Sequence, residues 1–209
     1  MIKLFNEKRI EDAFALVLMN AFHRVADIFE YRILNEELEA LVTEVTEPLR
    51  MKKLDVDFED RNVGVDLIEV SGDSFPASYD VQRGRYYPRA RVFYTFKIKS
   101  GNNELLSVKP KTDSVHEKIY ASVTDRSFTI YYHTDYARKE LSEEVKKDVK
   151  DWAERVIPSI KKMIQVINDE VENFNDTTLV NKITDLIAER KDELNKRDSQ
   201  NDDLNDLDI

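Results

Sequence analysis

ARVFYTFKIKS, spanning Ala90–Ser100, decides the fold. Its period is two. Val92, Tyr94, Phe96 and Ile98 fall on one face, and Arg91, Lys97 and Lys99 on the other. On a helix those four apolar side chains would scatter round the circumference; on a strand they make one face to bury. Gly101-Asn102-Asn103 then turns the chain. Upstream, VGVDLIEV (Val63–Val70) alternates imperfectly, with Val63, Val65 and Leu67 against Gly64, Asp66 and Ile68. Downstream, Lys118–Val123 and Ser127–His133 are separated by Thr124-Asp125-Arg126, which suits a hairpin. Residues 51–138 therefore read as a mostly antiparallel sheet of four to six strands.

The flanks change period. Ile10, Phe14, Val17, Leu18, Phe22, Val25, Ile28 and Phe29 recur at three- and four-residue steps and predict a helix, with Asn6 as its N-cap. A second helix is expected over Glu36–Val45, stopped before Pro48, although the β-branched run LVTEVT also fits a strand. Beyond residue 139, Leu141, Val145, Val149, Trp152, Val156, Ile160, Met163, Ile167, Val171 and Phe174 keep a helical period, with Pro158 expected to kink or restart it. Asn173–Thr178 reads as a capping-rich break, followed by a last helix carrying Leu179, Ile183, Leu186, Ile187, Arg190 and Leu194. The fold class is α+β: a four-to-six-stranded antiparallel sheet flanked by an N-terminal helix or helix pair and a long C-terminal helical hairpin. One module is expected over 1–197 (1–50 helical, 51–138 β-rich, 139–197 helical hairpin). The segment 198–209 carries five aspartates and no base, and is expected to be a flexible tail or the start of a linker.

Composition closes several classes. The 209 residues include no cysteine, which excludes disulfides, thiolate zinc sites and cysteine nucleophiles. The N-terminus lacks an unbroken apolar run of the signal-peptide kind, and no stretch is long enough to span a membrane, so a cytoplasmic protein is expected. With only four glycines there is no phosphate-cradling loop. His23, His116 and His133 form no ligand pair by spacing, and His23 lies beside the first helical stripe. The acidic run Asp55–Asp60 has the oxygen chemistry of a divalent-cation site, but a solvated strand or loop explains it as well. Glu144-Val145-Lys146 spells part of a nuclease motif inside a helical run, where that motif does not belong, and Asn175-Asp176-Thr177 spells a glycosylation sequon that is accidental in a cytoplasmic protein. No catalytic set and no cofactor or metal site emerges.

What stands out is charge. The net charge is -10, yet residues 83–111 carry a net +7. Arg83, Arg85, Arg89 and Arg91 surround Tyr86 and Tyr87, and Lys97 and Lys99 continue the same parity. In an extended chain the bases would share one face at about 6.6 Å spacing, interrupted by Gly84 and Pro88. Three readings are open: a phosphate-tracking patch with the tyrosines as stacking groups, a docking surface for an acidic segment such as the chain's own tail, or a solvated sheet face whose bases pair with neighbouring Glu and Asp. The helices offer a further possibility, homo-oligomerisation.

Two stretches carry a resemblance. YDVQRGRYYPRARVFYTFKIKSGNNELLSVKP, with Gly101, Glu104-Leu105-Leu106 and Pro110, resembles a β-rich block of large bacterial proteins that end in a restriction-endonuclease-like (PD-(D/E)XK) nuclease domain. VINDEVENFNDTTLVNKITDLIAERKDEL resembles the same family's helix pair at Asn173, Phe174, Asn175, Leu179, Ile183, Arg190 and Leu194. The resemblance implies a non-catalytic N-terminal sensing, recognition or assembly module of a defence-type nuclease, with the nuclease core on a downstream domain or a separately encoded partner. The alternatives are a stand-alone nucleic-acid-binding protein using the basic strand, or an oligomerisation domain.

Overall fold

A computed structural model of the chain describes residues 1–112 and 118–205. The α+β expectation holds, built round a five-stranded antiparallel sheet. The chain divides into two compact units: Met1–Lys8 with Lys53–Ile167, and Arg9–Lys52 with Asn168 onward.

The first unit holds the sheet. The strands are β1 (Ile2–Lys3), β2 (Lys8–Arg9), β3 (Asp55–Ser71), β4 (Tyr86–Ser100), β5 (Val108–Lys109), β6 (Tyr120–Val123) and β7 (Ser127–His133). Five of them form the sheet in the order β1-β6-β7-β4-β3, every pair antiparallel. The decisive stretch behaves as its period predicts. Val92, Tyr94 and Phe96 are buried, Phe96 stacks on Phe128 at 5.1 Å between ring centres, and Ile98 is half-buried at the strand's end. The predicted hairpin is β6–β7, closed by Thr124 Oγ1, which accepts the Ser127 N–H at 3.1 Å. Gly101 has φ +100, and a Cβ there would sit 1.8 Å from the Lys53 carbonyl oxygen, so only glycine turns the chain at the end of β4. Trp152, on the helix α4 (Glu143–Asn173), packs against Tyr94 and Tyr132 at 6.1 and 5.4 Å, and Val149, Ala153, Val156, Ile160 and Met163 are buried along the same helix.

The second unit is helical: α1 (Ile10–Ala26), α2 (Glu30–Asn35), α3 (Leu38–Thr46) and α5 (Val180–Asn205), with the last turns of α4. LVTEVT is helix, not strand, and the helix gives way to a 3-10 turn at Glu47–Leu49, where Pro48 fits a first-turn position. Asn6 is not the N-cap of α1; Arg9 holds that position and makes no side-chain cap. The buried stripe of α1 is narrower than its periodicity, comprising Ile10, Phe14, Ala21 and Val25, while Phe22 and Phe29 are exposed. Arg190 donates to the Val25 carbonyl in the last turn of α1, which also accepts the Ile28 N–H.

Pro158 lies inside α4, which runs on past it and does not restart. Two further helix expectations need correction. The hairpin break at Asn173–Thr178 does not form: Phe174–Leu179 is a π-helical turn with helical backbone at both Asn173 and Val180, joining α4 to α5 in one run. Its polar side chains look outward across the unit instead of capping. Asn175 bridges the backbone of Met51, its Oδ1 accepting the N–H and its Nδ2 donating to the carbonyl, both at 2.9 Å. Asp176 accepts from Arg50 at 2.6 Å, and Phe174 stacks on Phe14 at 4.1 Å. An extra residue per turn is thus held in place by long-range partners, as π-turns often are. The acidic tail expected from Asp198 is helical through Asn205.

Candidate functional site

The basic stretch is best followed from its far end. Directly across from β4 runs β3, and β3 carries the carboxylates. Lys99 pairs with Asp57 at 3.2 Å and Lys97 with Asp60. Arg91 grips Asp66 with both arms of its guanidinium, Nε to Oδ1 at 3.1 Å and Nη2 to Oδ2 at 2.6 Å, and lies 4.1 Å over the ring of Tyr131. The pairing follows from register, since Asp66 stands opposite Arg91 in the ladder. The hydrogen bonds that Arg91 donates to Asp66 raise its pKa above the ordinary value. The Asp60 N–H bond, then Lys99, hold the Asp57 carboxyl below the usual carboxylate range. Lys97 is raised by Asp60.

Arg89 is engaged differently. Its guanidinium sits 4.8 Å from the Phe75 ring centre and 5.7 Å from that of Tyr87, inside an aromatic cluster completed by Tyr79 and Tyr136. Its Nη1 donates to the Pro88 carbonyl at 2.8 Å, and its Nε is buried with no hydrogen-bond partner among the described residues. A shallow cavity of about 250 Å³ beside it is lined in part by His133, Thr134 and Asp135. Tyr87 is also occupied: its hydroxyl accepts the Gln82 N–H at 2.8 Å and its ring meets Phe75 edge-on.

Arg83, Arg85 and Tyr86 remain. All three are exposed, Tyr86 by 68%. No described carboxylate pairs with either arginine. They flank Gly84, whose φ of +73 and open surroundings mark a loop tip. The eight residues therefore do not form one surface. Three are free at the start of β4, and the lysines lie some twelve residues further along, roughly 40 Å for an extended strand.

The acidic run considered for a cation is the partner set of those lysines, through Asp57 and Asp60. Among the described residues no cluster of three or more His, Asp or Glu could hold a metal ion. His133 ends β7 exposed, and His116 lies outside the described residues. No described helix is long and apolar enough to cross a membrane.

A second surface was not anticipated. As the outer strand of the sheet, β3 has a partner on one side only among the described residues. Val63, Val65 and Leu67 stand opposite Tyr94, Val92 and Ala90, on the face that is buried on β4, yet they are 48, 46 and 47% exposed. Arg61 and Glu69 bracket them on the same face, both exposed. The tip of the Phe93 ring reaches over Gly64 on the other face, where a Cβ would come within 2.5 Å of it. The alternation of VGVDLIEV signalled an apolar face; nothing local to it signalled that the strand would be outermost.

Comparison with protein-family models, with curated proteins and with solved structures returns no match. The fold and the two surfaces define the class on their own terms: an α+β protein whose basic strand is largely neutralised from within and whose outer strand carries an exposed apolar row.

Proposed function

We propose that this chain is a non-catalytic recognition and assembly module that works through the open edge of its sheet. The observation that carries the reading is the half-exposed row Val63, Val65 and Leu67 on an outer strand of 17 residues. An unpaired edge with an apolar row is a template for another strand, and proteins that do not use one blunt it with proline, charged side chains, bulges or a covering element. Between Val63 and Leu67 β3 has no proline, lysine or bulge, and its one charge, Asp66, is held by Arg91. The basic strand supports the same reading by elimination, because Arg91, Lys97 and Lys99 already hold carboxylates and Arg89 is caged by rings.

The two blocks resembling defence-type nucleases support placing the module beside a nuclease as its sensing or assembly part, in line with the cytoplasmic setting expected from its composition. Sedimentation velocity over a wide concentration range, with and without Mg²⁺ and duplex DNA, tests the proposal. Concentration-dependent association without DNA cleavage is expected. A chain that stays monomeric throughout, or that cuts DNA, overturns it.

A second reading, contact with nucleic acid, is favoured by Arg83, Arg85 and Tyr86 alone. Two unpaired arginines neutralise about two phosphates, which gives a log–log salt slope of roughly 1.4–1.8. On a chain of net charge -10 that is weak binding.

A further inference from the structure

The edge of β3 specifies its own partner. In an antiparallel ladder, alternate residues point their N–H and C=O groups to opposite sides. On β4, Ala90 and Ile98 direct their N–H groups away from β3, to Ala137 and Arg126 carbonyls at 2.8 Å. The odd residues of β4 therefore bond to β3, and their opposites on β3 are even, since Asp66 faces Arg91 and Gly64 faces Phe93. The Gly72 N–H, bonded to the Arg85 carbonyl at 2.7 Å, continues the same parity past the strand's end. Hence Arg61, Val63, Val65, Leu67 and Glu69 turn their backbone groups outward. They are the same five residues whose side chains form the exposed row.

From this we infer that two copies of the chain pair β3 to β3, antiparallel, about a two-fold axis at Val65, joining two five-stranded sheets into one of ten strands. The inference rests on the assembly reading above and names its partner. Outward-facing residues must meet outward-facing residues, so odd positions meet odd positions. With the axis at Val65, Val65 meets itself, Val63 meets Leu67 twice, and Arg61 meets Glu69 twice. Within this row every apolar side chain finds an apolar one and each charge its opposite. On the other face Ile68 meets Asn62, and Gly64, covered by the Phe93 ring, stands opposite Asp66, which its own Arg91 already holds.

Neighbouring registers fail on charge. An axis at Gly64 brings Glu59 toward Glu69 and sets Arg61 against Leu67. An axis at Asp66 sets Asp66 against itself and Val63 against Glu69. Like charges directly opposite are destabilising, and so is a charge facing an apolar partner across a strand pair. An isologous two-fold contact also closes on itself, so the open edge is consumed without making fibres.

The absence of native cysteine makes the test clean. In Val65→Cys the two sulfurs belong to one hydrogen-bonded pair, with Cα atoms about 5.5 Å apart, inside disulfide range. In Val63→Cys the equivalent atoms are offset by four residues, roughly 13 Å along the strand. Mild oxidation of each purified full-length variant, read by mass on a non-reducing gel, should give near-complete dimer for V65C and little for V63C. A charge cycle reads the same register in solution: Arg61→Glu and Glu69→Arg should each weaken the dimer about tenfold or more, and the double variant should restore it. Val65→Pro removes only an outward N–H, leaves the β3–β4 ladder intact, and should give a folded monomer by circular dichroism and sedimentation. If the wild type dimerises while V65C fails to cross-link and the cycle shows no rescue, this inference is wrong and the assembly reading stands on another face. If the wild type is monomeric at every concentration, both fall.

Discussion

Removing the carboxylates that face the basic strand should turn a poor nucleic-acid ligand into a good one. Asp57, Asp60 and Asp66 each hold one base of β4, so Asp57→Asn, Asp60→Asn and Asp66→Asn together would free Lys99, Lys97 and Arg91. Asparagine keeps the shape of each side chain and most of its hydrogen-bonding capacity. The charge rises by three. More to the point, the number of bases free to meet phosphate rises from two, Arg83 and Arg85, to five. Counterion release then predicts that the slope of log K against log salt steepens from about -1.8 to about -4.5 on duplex DNA. The cost in stability should be small for the two exposed lysine pairs, which water and salt screen. It should be larger for the bidentate Asp66–Arg91 pair, which a thermal melt of the single variants would apportion. Fluorescence anisotropy of a labelled duplex, titrated with wild type and triple variant at several salt concentrations, measures the slopes directly. Two results refute the reasoning. A wild-type slope already near -4.5 would mean the ion pairs open on binding and mask nothing. An unchanged slope in the triple variant would mean the freed bases do not track phosphate at all.

Further outcomes follow from single contacts. Asn175→Ala deletes both hydrogen bonds to the Met51 backbone and should cost about 2–4 kcal/mol, with faster amide exchange at Met51 as its local sign; a loss under about 1 kcal/mol in denaturant titration would show the bridge to be incidental. Gly101→Ala combines a positive φ with a backbone collision and should cost at least about 1–3 kcal/mol, seen as a lowered melting temperature. Asp57 has a folded pKa depressed below its ordinary 3.8, so its contribution is complete above that value and is lost as pH falls through the folded one. The gap in melting temperature between wild type and Asp57→Asn should therefore be constant from neutrality down to about pH 5 and close below about pH 4. A gap that persists in strong acid would show that the carboxylate charge is not what stabilises the strand.

What the sequence discloses depends on the distance over which each feature is decided. The buried face of β4 was legible because a period of two over Val92, Tyr94, Phe96 and Ile98 is a local property, and so was the β6–β7 turn at Thr124. The π-helical join at Phe174–Leu179 was not, because Asn, Asp and Thr read locally as caps, while here Asn175 and Asp176 are held by Met51 and Arg50, more than 120 residues away. The fate of the basic stretch lay between these extremes. That bases on one face might pair with neighbouring acids was open from the start; which acids they take depends on the β3–β4 ladder, where Asp66 stands opposite Arg91, and on the irregularity between Asp57 and Arg61, where Lys97 takes Asp60 and Lys99 takes Asp57. The edge row is the sharpest case. Val63, Val65 and Leu67 have the pattern of a buried strand face, and burial would be their fate anywhere but at the margin. Position in the sheet is a property of the whole topology, and it converts the same alternation from core into surface. Once that position is known, the sequence becomes readable again at a second level: charges of opposite sign at equal distances either side of Val65, with only Val63, Val65 and Leu67 between them on that face, are what a strand needs in order to recognise itself.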